Sequence, residues 1–171
     1  MSKKYFITHL PVKDSKETKP FITSPYGERT LDGKMQFHHG VDLIVSTNRN
    51  HLTSKVACCF QEAVIVYAGH LGTAGNLIIL LDIDSSTKEK RIVACYAHLN
   101  KIYDQVGDIV SGGEVIGYMG GSGATPKQYA PHLHFGLNML DKDIHITKAI
   151  SGIGSLDPMR HGLSKFTFAK S

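Results

Sequence analysis

Hydrophobic residues in this chain occur in short segments that are separated by clusters of glycine and polar residues. Each segment has about the length of a β-strand, and no window longer than about 12 residues keeps the i, i+3, i+4 spacing of an amphipathic helix. The 17 glycines also favour turns over long helices. The predicted strands are Phe37–Val45, Val64–Ala68, Leu77–Ile83, Arg91–Leu99, Asp108–Met119 and His132–Met139.

This pattern predicts an all-β, or at least β-dominated, fold. Residues 140–155 leave room for one short helix at most. Residues 106–117 have the pattern of two strands joined by a glycine turn, which is typical of the corner of a small barrel. Residues 1–20 are polar and rich in lysine, and they predict a surface arm. With 171 residues, we expect one domain.

Charge, cysteine content and hydropathy narrow the class of protein. The net charge of +4 is spread too evenly to indicate a nucleic-acid groove, so we expect no nucleic-acid partner. The three cysteines form no CxxC pair and predict buried reduced thiols. No apolar run approaches the roughly 20 residues of a membrane span, and the N-terminus has no hydrophobic signal core. We therefore expect a soluble protein without a visible export signal.

Two histidine motifs stand out among the ten histidines of the chain. In a strand, residues two apart point to the same face, so His132 and His134 should project together, opposite to two hydrophobic neighbours. The same alternation places His38 on one face with Asp42, and His39 on the other. Gly40 lies between His38 and Asp42 and has no side chain, which should leave room for an ion and a substrate.

Imidazoles and a carboxylate on neighbouring faces are a suitable ligand set for Zn²⁺, with a fourth position left for water. Calcium or magnesium, which prefer oxygen ligands, fit this set less well. A third histidine, His98, comes at the end of another apolar strand. On its own, such a histidine is more often structural than functional.

Three motifs follow one another along the chain: HxGxD at residues 38–42, YAHL at 96–99 and PHLHF at 131–135. In this order and with these separations they resemble the lysostaphin-type zinc endopeptidases, which cut peptide cross-bridges in bacterial cell walls. The likeness covers about residues 21–160. It includes the segments Ile22–Arg29, Val106–Gly120 and Leu156–Pro158, which are similar to further parts of the family.

The resemblance implies both a site and an architecture. It implies zinc bound by His38, Asp42 and His134, with His98 and His132 as catalytic histidines. The implied fold is a compact antiparallel β-sheet or barrel-sandwich with an open groove over the zinc. Residues 21–160 would form the endopeptidase domain and residues 161–171 a C-terminal tail. We expect a monomer.

The implied reaction is hydrolysis of peptide bonds in the stem or cross-bridge peptides of bacterial peptidoglycan. The chain has no HExxH glutamate, so a histidine has to act as general base. His132 is the first choice because it lies two residues from a ligand. His98 would then orient the water or stabilise the oxyanion, although the two roles could be exchanged.

Two other hypotheses belong to different classes. A catalytically silent module of the same fold would bind the wall or activate another hydrolase, and the loss of a ligand would favour it. A lipoyl-type carrier is suggested by residues 106–117, but the exposed Asp-Lys turn that such a carrier modifies is missing. The substrate lies outside the cytoplasmic membrane, so a phage or prophage origin, or a piece of a longer exported protein, would account for the missing signal.

Overall fold

A computed structural model describes residues 5–13, 19–45, 54–124 and 128–169 of the chain. Residues 1–4 and 14–18 of the predicted arm and residues 170–171 of the predicted tail lie outside these ranges. The strands of the described part are β1 (Val12–Lys13), β2 (Phe21–Ser24), β3 (Gly27–Leu31), β4 (Lys34–His38), β5 (Val41–Ile44), β6 (Lys55–Ala57), β7 (Glu62–His70), β8 (Asn76–Asp82), β9 (Lys90–Leu99), β10 (Lys101–Ile102), β11 (Ile109–Ser111), β12 (Val115–Tyr118), β13 (Gly120–Ser122), β14 (Gln128–Asp141) and β15 (Ser155–Leu156).

The helices of the described residues are short and of the 3₁₀ type. None of those found there is long and apolar enough to cross a membrane. They are Gly72–Ala74, Ile146–Ser151, Pro158–His161 and Leu163–Lys165.

The strands form a large sheet, a smaller sheet and a separate hairpin. The large sheet has the order β11-β7-β8-β9-β14-β5-β2, and β13 and β15 also pair with β14. The small sheet has the order β1-β6-β12-β10, and β3 pairs with β4 alone. The pairs in all three are antiparallel. The prediction of an antiparallel all-β architecture is therefore confirmed.

The large sheet is buried on both faces over β8 and β9, which explains the unbroken apolar runs in these strands. Ile78 and Leu80 face a main core shared with the small sheet. Leu77 and Ile79, on the opposite face of the sheet, belong to a second cluster. Ala149 and its 3₁₀ helix pack against this second cluster. Successive residues of each strand thus pack into two different hydrophobic clusters. Few positions in β8 and β9 therefore tolerate a polar residue.

Two predicted segments differ in detail from the structure. The predicted strand Phe37–Val45 is broken at His39 and Gly40 into β4 and β5. Residues 106–117 do contain two strands, but β11 pairs with β7 of the large sheet and β12 with the small sheet. The glycine turn between them therefore leads the chain from one sheet to the other, and the described strands do not form a closed barrel.

The described parts of both terminal segments pack into the core. Ile7 is fully buried, and its amide donates to the carbonyl of His161 (2.9 Å). Val12 and Leu163 also belong to the main core. Residues 5–13 are therefore part of the packed structure instead of a separate surface arm, because their spaced apolar residues complete the core. The boundaries at residues 20 and 160 stay a prediction.

The hydroxyl of Tyr96 provides a test of this core. It is fully buried, donates to the Ala57 carbonyl (2.8 Å) and accepts from the Cys59 amide (3.0 Å). Tyr96→Phe removes this partner from both backbone groups, so we expect the free energy of unfolding, measured in urea, to fall by about 1–3 kcal/mol. Tyr67→Phe is the control, because its hydroxyl bonds an exposed carbonyl. Equal stability of the two variants would contradict this account of the core.

Candidate metal centre and groove

The pairing of β5 with β14 places two candidate ligands side by side. In this register, His134 lies directly opposite Asp42. Residues that face each other across antiparallel strands have Cβ atoms about 4.5–5.5 Å apart. On the opposite face of β14, Leu133 and Phe135 are fully buried in the main core. Their burial fixes the side of the sheet on which His132 and His134 lie.

His38 is the last residue of β4, immediately before the break in the predicted strand, and its side chain reaches the same point. Its side chain is buried, and Nδ1 donates to the Pro25 carbonyl (2.8 Å), since a carbonyl only accepts. Nε2 is therefore the ring nitrogen that faces Asp42. His39 points elsewhere and bonds Ser155 Oγ (3.0 Å). The prediction that His38 and not His39 accompanies Asp42 thus agrees with the geometry, although the single strand assumed for it does not exist.

Three side-chain atoms converge into a compact triangle. Nε2 of His38 lies 3.2 Å from Oδ1 of Asp42 and 3.2 Å from Nδ1 of His134, and the latter two atoms are 3.1 Å apart. A tetrahedral zinc ion with ligands at about 2.0–2.1 Å separates neighbouring ligand atoms by about 3.3–3.4 Å. The cluster is therefore compatible with a bound metal ion, both in its donor types and in its dimensions.

The surroundings favour the protonation states that a metal requires. Burial would raise the pKa of the Asp42 carboxyl, but hydrogen bonds from His134 and His38 and their charges hold it well below its ordinary value. Burial lowers the pKa of His134, against the opposing effect of Asp42. At neutral pH, Asp42 is therefore an anionic carboxylate and His134 a neutral imidazole. These are the forms in which the two groups bind a metal.

Arg29 holds the second oxygen of the same carboxylate. Its Nη1 donates to Oδ2 of Asp42 (3.3 Å) and to Oγ of Ser24 (2.9 Å). Because Oδ2 is engaged, Oδ1 is the oxygen directed at the two histidines. The segment Ile22–Arg29 was noticed in the sequence, but nothing in its pattern indicated this contact.

Gly40 is needed for packing at the metal cluster. A Cβ atom at this position would lie 2.5 Å from the carbonyl oxygen of Phe135 and 2.9 Å from Cε1 and Nε2 of His134. The sequence suggested room here for an ion and a substrate, but the His134 imidazole and the Phe135 carbonyl occupy this space.

His132 and His98 stand beside the cluster. Nε2 of His132 is 3.8 Å from Oδ1 of Asp42, and the rings of His98 and His132 are 4.9 Å apart. Nδ1 of His132 donates to the Ala130 carbonyl (2.7 Å), and Nδ1 of His98 donates to the Ser122 carbonyl (2.8 Å). In the neutral form, each ring therefore keeps its lone pair on Nε2. All five predicted site residues lie around one groove.

His98 enters the groove through a break in the alternation of β9. Tyr96 and Leu99 both belong to the main core, whereas Ala97 belongs to the second cluster. The pairing with β8 shifts by one residue here, because Ile78 opposes Tyr96 and Asn76 opposes Leu99. His98 is the extra residue of this β-bulge and has a φ of 63°, which is rare for a residue with a side chain.

Burial lowers the pKa of His98 to about 4, although its hydrogen bond to the Ser122 carbonyl works in the other direction. The imidazole is therefore neutral at pH 7. A neutral ring with its lone pair on Nε2 is able to accept a proton from a neighbouring group.

The groove has a volume of about 750 Å³ and two banks of different origin. Arg29, Leu31 and Phe37 of the β3–β4 hairpin line one bank, and the segment from Leu71 to Ala74 lines the other. Leu31 and Phe37 are about half exposed, which is unusual for large apolar side chains away from a binding surface. The site is therefore accessible to an extended ligand.

The fold and the donor set together define an antiparallel β protein with a candidate metal centre in an open groove. Residues 36–146, which are more than half of the chain, match Peptidase family M23. The chain therefore belongs to this family of metallo-endopeptidases. The resemblance to lysostaphin-type enzymes that was predicted from the three motifs is confirmed.

Three relatives illustrate the likeness. Lysostaphin of Staphylococcus staphylolyticus is 32% identical over 111 residues, covering 64% of this chain and 20% of the relative. Glycyl-glycine endopeptidase ALE-1 of Staphylococcus capitis is 30% identical over 135 residues, covering 78% of this chain and 31% of the relative. The catalytic domain of lysostaphin from Staphylococcus simulans superposes with a TM-score of 0.54 at 28% identity, covering 83% of this chain and 90% of the domain.

The chain thus spans about a fifth to a third of the length of these two curated relatives. It covers nearly all of the solved catalytic domain. The similarity is therefore to the catalytic part of longer proteins.

Gly40→Ala tests the packing of the metal cluster. The added methyl group would press on the ring of His134, so we expect divalent metal affinity, measured by competition for Zn²⁺ with a chelator, to fall about 10- to 100-fold. The fold should persist in circular dichroism. Gly69→Ala is the matched control, because its Cβ would meet only the Tyr67 side chain, at 3.7 Å or more. Equal affinities in the two variants would show that Gly40 does not support the cluster.

Proposed function

We propose that this protein is a zinc-dependent endopeptidase that hydrolyses peptide bonds in the stem or cross-bridge peptides of bacterial peptidoglycan. The single observation that carries this proposal is the triangle of ligand atoms from His38, Asp42 and His134, beside which two further histidines stand. Family membership and the similarity to lysostaphin and to a glycyl-glycine endopeptidase support it.

In this proposal, His38, Asp42 and His134 hold the zinc ion. Bound there, zinc would supply Lewis acidity to the carbonyl of the scissile bond and to the attacking water. Asp42 contributes one negative charge, and Arg29 keeps its carboxylate oriented. The two imidazoles would be neutral ligands, and Nδ1 of His38 is held by its hydrogen bond to the Pro25 carbonyl.

His132 and His98 divide two roles between them, proton transfer and the orientation of water or stabilisation of charge. One of them, with His132 as the first choice, takes a proton at Nε2 from the water as its oxygen bonds to the carbonyl carbon. That proton then passes to the leaving nitrogen as the carbon–nitrogen bond breaks. The products are a carboxylic acid and an amine, which at neutral pH exchange a proton to give a carboxylate and an ammonium group. The other histidine orients the water or stabilises the charge on the carbonyl oxygen.

The groove favours an amide over a glycosidic bond. Glycoside hydrolysis normally requires two carboxylates, one on each side of the sugar linkage. Among the described residues that line the groove, Asp42 is the single acid, and it belongs to the metal cluster. Zinc with neighbouring imidazoles suits an amide carbonyl instead.

The location of the substrate indicates where the protein acts. Peptidoglycan lies outside the cytoplasmic membrane, so the site of action would be extracellular, periplasmic or associated with a virion. A phage or prophage enzyme, or the catalytic part of a secreted wall hydrolase, fits a chain that matches only part of its relatives. We expect it to act as a monomer, since the five site residues come from one chain.

Zinc content tests the ligand assignment. We expect one zinc per wild-type chain, and clear loss of zinc from His134→Ala and Asp42→Ala in metal analysis after dialysis. His39→Ala is the control and should keep most of its metal, because His39 bonds Ser155 outside the cluster. Full zinc occupancy in both ligand variants would overturn the assignment.

Digestion of purified peptidoglycan tests the reaction. We expect wild-type protein to release new free amines, with the cut bond identified by mass spectrometry of the released peptides. His98→Ala and His132→Ala should keep zinc but lose activity by about 10²-fold or more, the scale for removing a positioned acid-base group. New reducing ends without new amines would refute a peptidase. A zinc-free wild-type protein that cuts nothing would support the silent-module alternative.

A further inference from the structure

The bulge that turns His98 into the groove leaves a gap in the ladder between β8 and β9. Asn76 is the first residue of β8, and its regular partner across the ladder is Leu99. Its backbone amide donates to Oγ of Ser122 (2.9 Å). The hydroxyl of Ser122 in turn donates to the Leu99 carbonyl (2.7 Å).

Ser122 thus bridges the interrupted ladder from outside these two strands. It belongs to β13, which pairs with β14, the strand that carries His132 and His134. One hydroxyl therefore ties the ends of β8 and β9 to a third strand. Removing it would leave the Asn76 amide without this partner, and the Leu99 carbonyl would keep the Asn76 side-chain amide (3.0 Å).

The carbonyl group of the same residue sets the tautomer of the histidine. It accepts from Nδ1 of His98 at 2.8 Å, which leaves the lone pair on Nε2. Gly75 packs against this group so closely that a Cβ atom there would lie 2.3 Å from the carbonyl oxygen. The position of the acceptor is therefore fixed from two sides.

We propose that Ser122 is a positioning residue for His98: its hydroxyl closes the bulged ladder and its carbonyl holds the ring in the Nδ1–H tautomer, with Nε2 facing the groove. This inference rests on the proposed function only in so far as His98 acts in the reaction. The placement of the ring itself is independent of that reaction. His98 has a left-handed backbone conformation, which is strained. Such strain persists where several contacts hold the residue in place, and Ser122 provides contacts of this kind.

The first test is spectroscopic and needs no activity. In the zinc-loaded protein at neutral pH, ¹⁵N shifts of the His98 ring, assigned with His98→Ala, should show the Nδ1–H tautomer. Ser122→Ala should shift the ring toward a mixture of tautomers. Ser86→Ala is the matched control, since its hydroxyl also bridges backbone groups, those of Ile92, at the opposite end of the same two strands. An unchanged tautomer in Ser122→Ala would overturn the inference.

The second test measures turnover in the amine-release assay on peptidoglycan. We expect Ser122→Ala to lower kcat about 10- to 100-fold, the scale for a misplaced catalytic group, with little change in KM or zinc content. In a His98→Ala background, the same substitution should cause almost no further loss. An equal loss in both backgrounds would show a general structural role and overturn the inference.

A second variant perturbs the carbonyl without removing the hydroxyl. In Gly75→Ala, the added Cβ would lie 2.3 Å from the carbonyl oxygen and 2.5 Å from Oγ of Ser122, so it should displace both groups and reproduce the tautomer change. Gly107→Ala is its control: this glycine also has a positive φ, of 97°, but no atom lies within 4 Å of the added Cβ. If wild-type protein shows the tautomer but releases no amines, the proposed reaction fails and the placement of His98 by Ser122 stands.

Discussion

The candidate site depends on the register between β5 and β14. This pairing sets His134 opposite Asp42 and, on the reverse face, commits Val41, Leu43 and Phe135 to the main core. A shift by one residue would bury the imidazole and expose the core residues at once. Burial of the hydrophobic residues therefore stabilises the one strand alignment that brings Asp42 and His134 together. The same burial stabilises both the fold and the arrangement of the candidate site.

Part of this arrangement could be predicted from strand alternation alone. The common face of His132 and His134 follows from their spacing and from the apolar residues between them. The same rule fails at His98, because regular alternation would have turned its side chain toward the main core. A bulge is a change in pairing between two strands, and the sequence of one strand does not reveal it.

Other contacts depend on residues that are distant in the chain. The predicted continuous strand at residues 37–45 is interrupted at His39 and Gly40, and the distant Pro25 carbonyl holds the His38 ring beside Asp42. Arg29 and Ser122 are ordinary polar residues in their local sequence, and their partners become visible only in three dimensions. Family motifs identified the five residues at the centre of the site but not the groups that hold them.

The β3–β4 hairpin pairs with no other strand among those described, yet it forms one bank of the groove. The ligands Asp42 and His134 lie instead on strands embedded in the large sheet. Most exposed positions of the hairpin, such as Leu31 and Met35, are thus free to vary during evolution with little effect on folding. Substitutions in this bank would therefore change which ligand the groove accepts without disturbing the strands that carry Asp42 and His134.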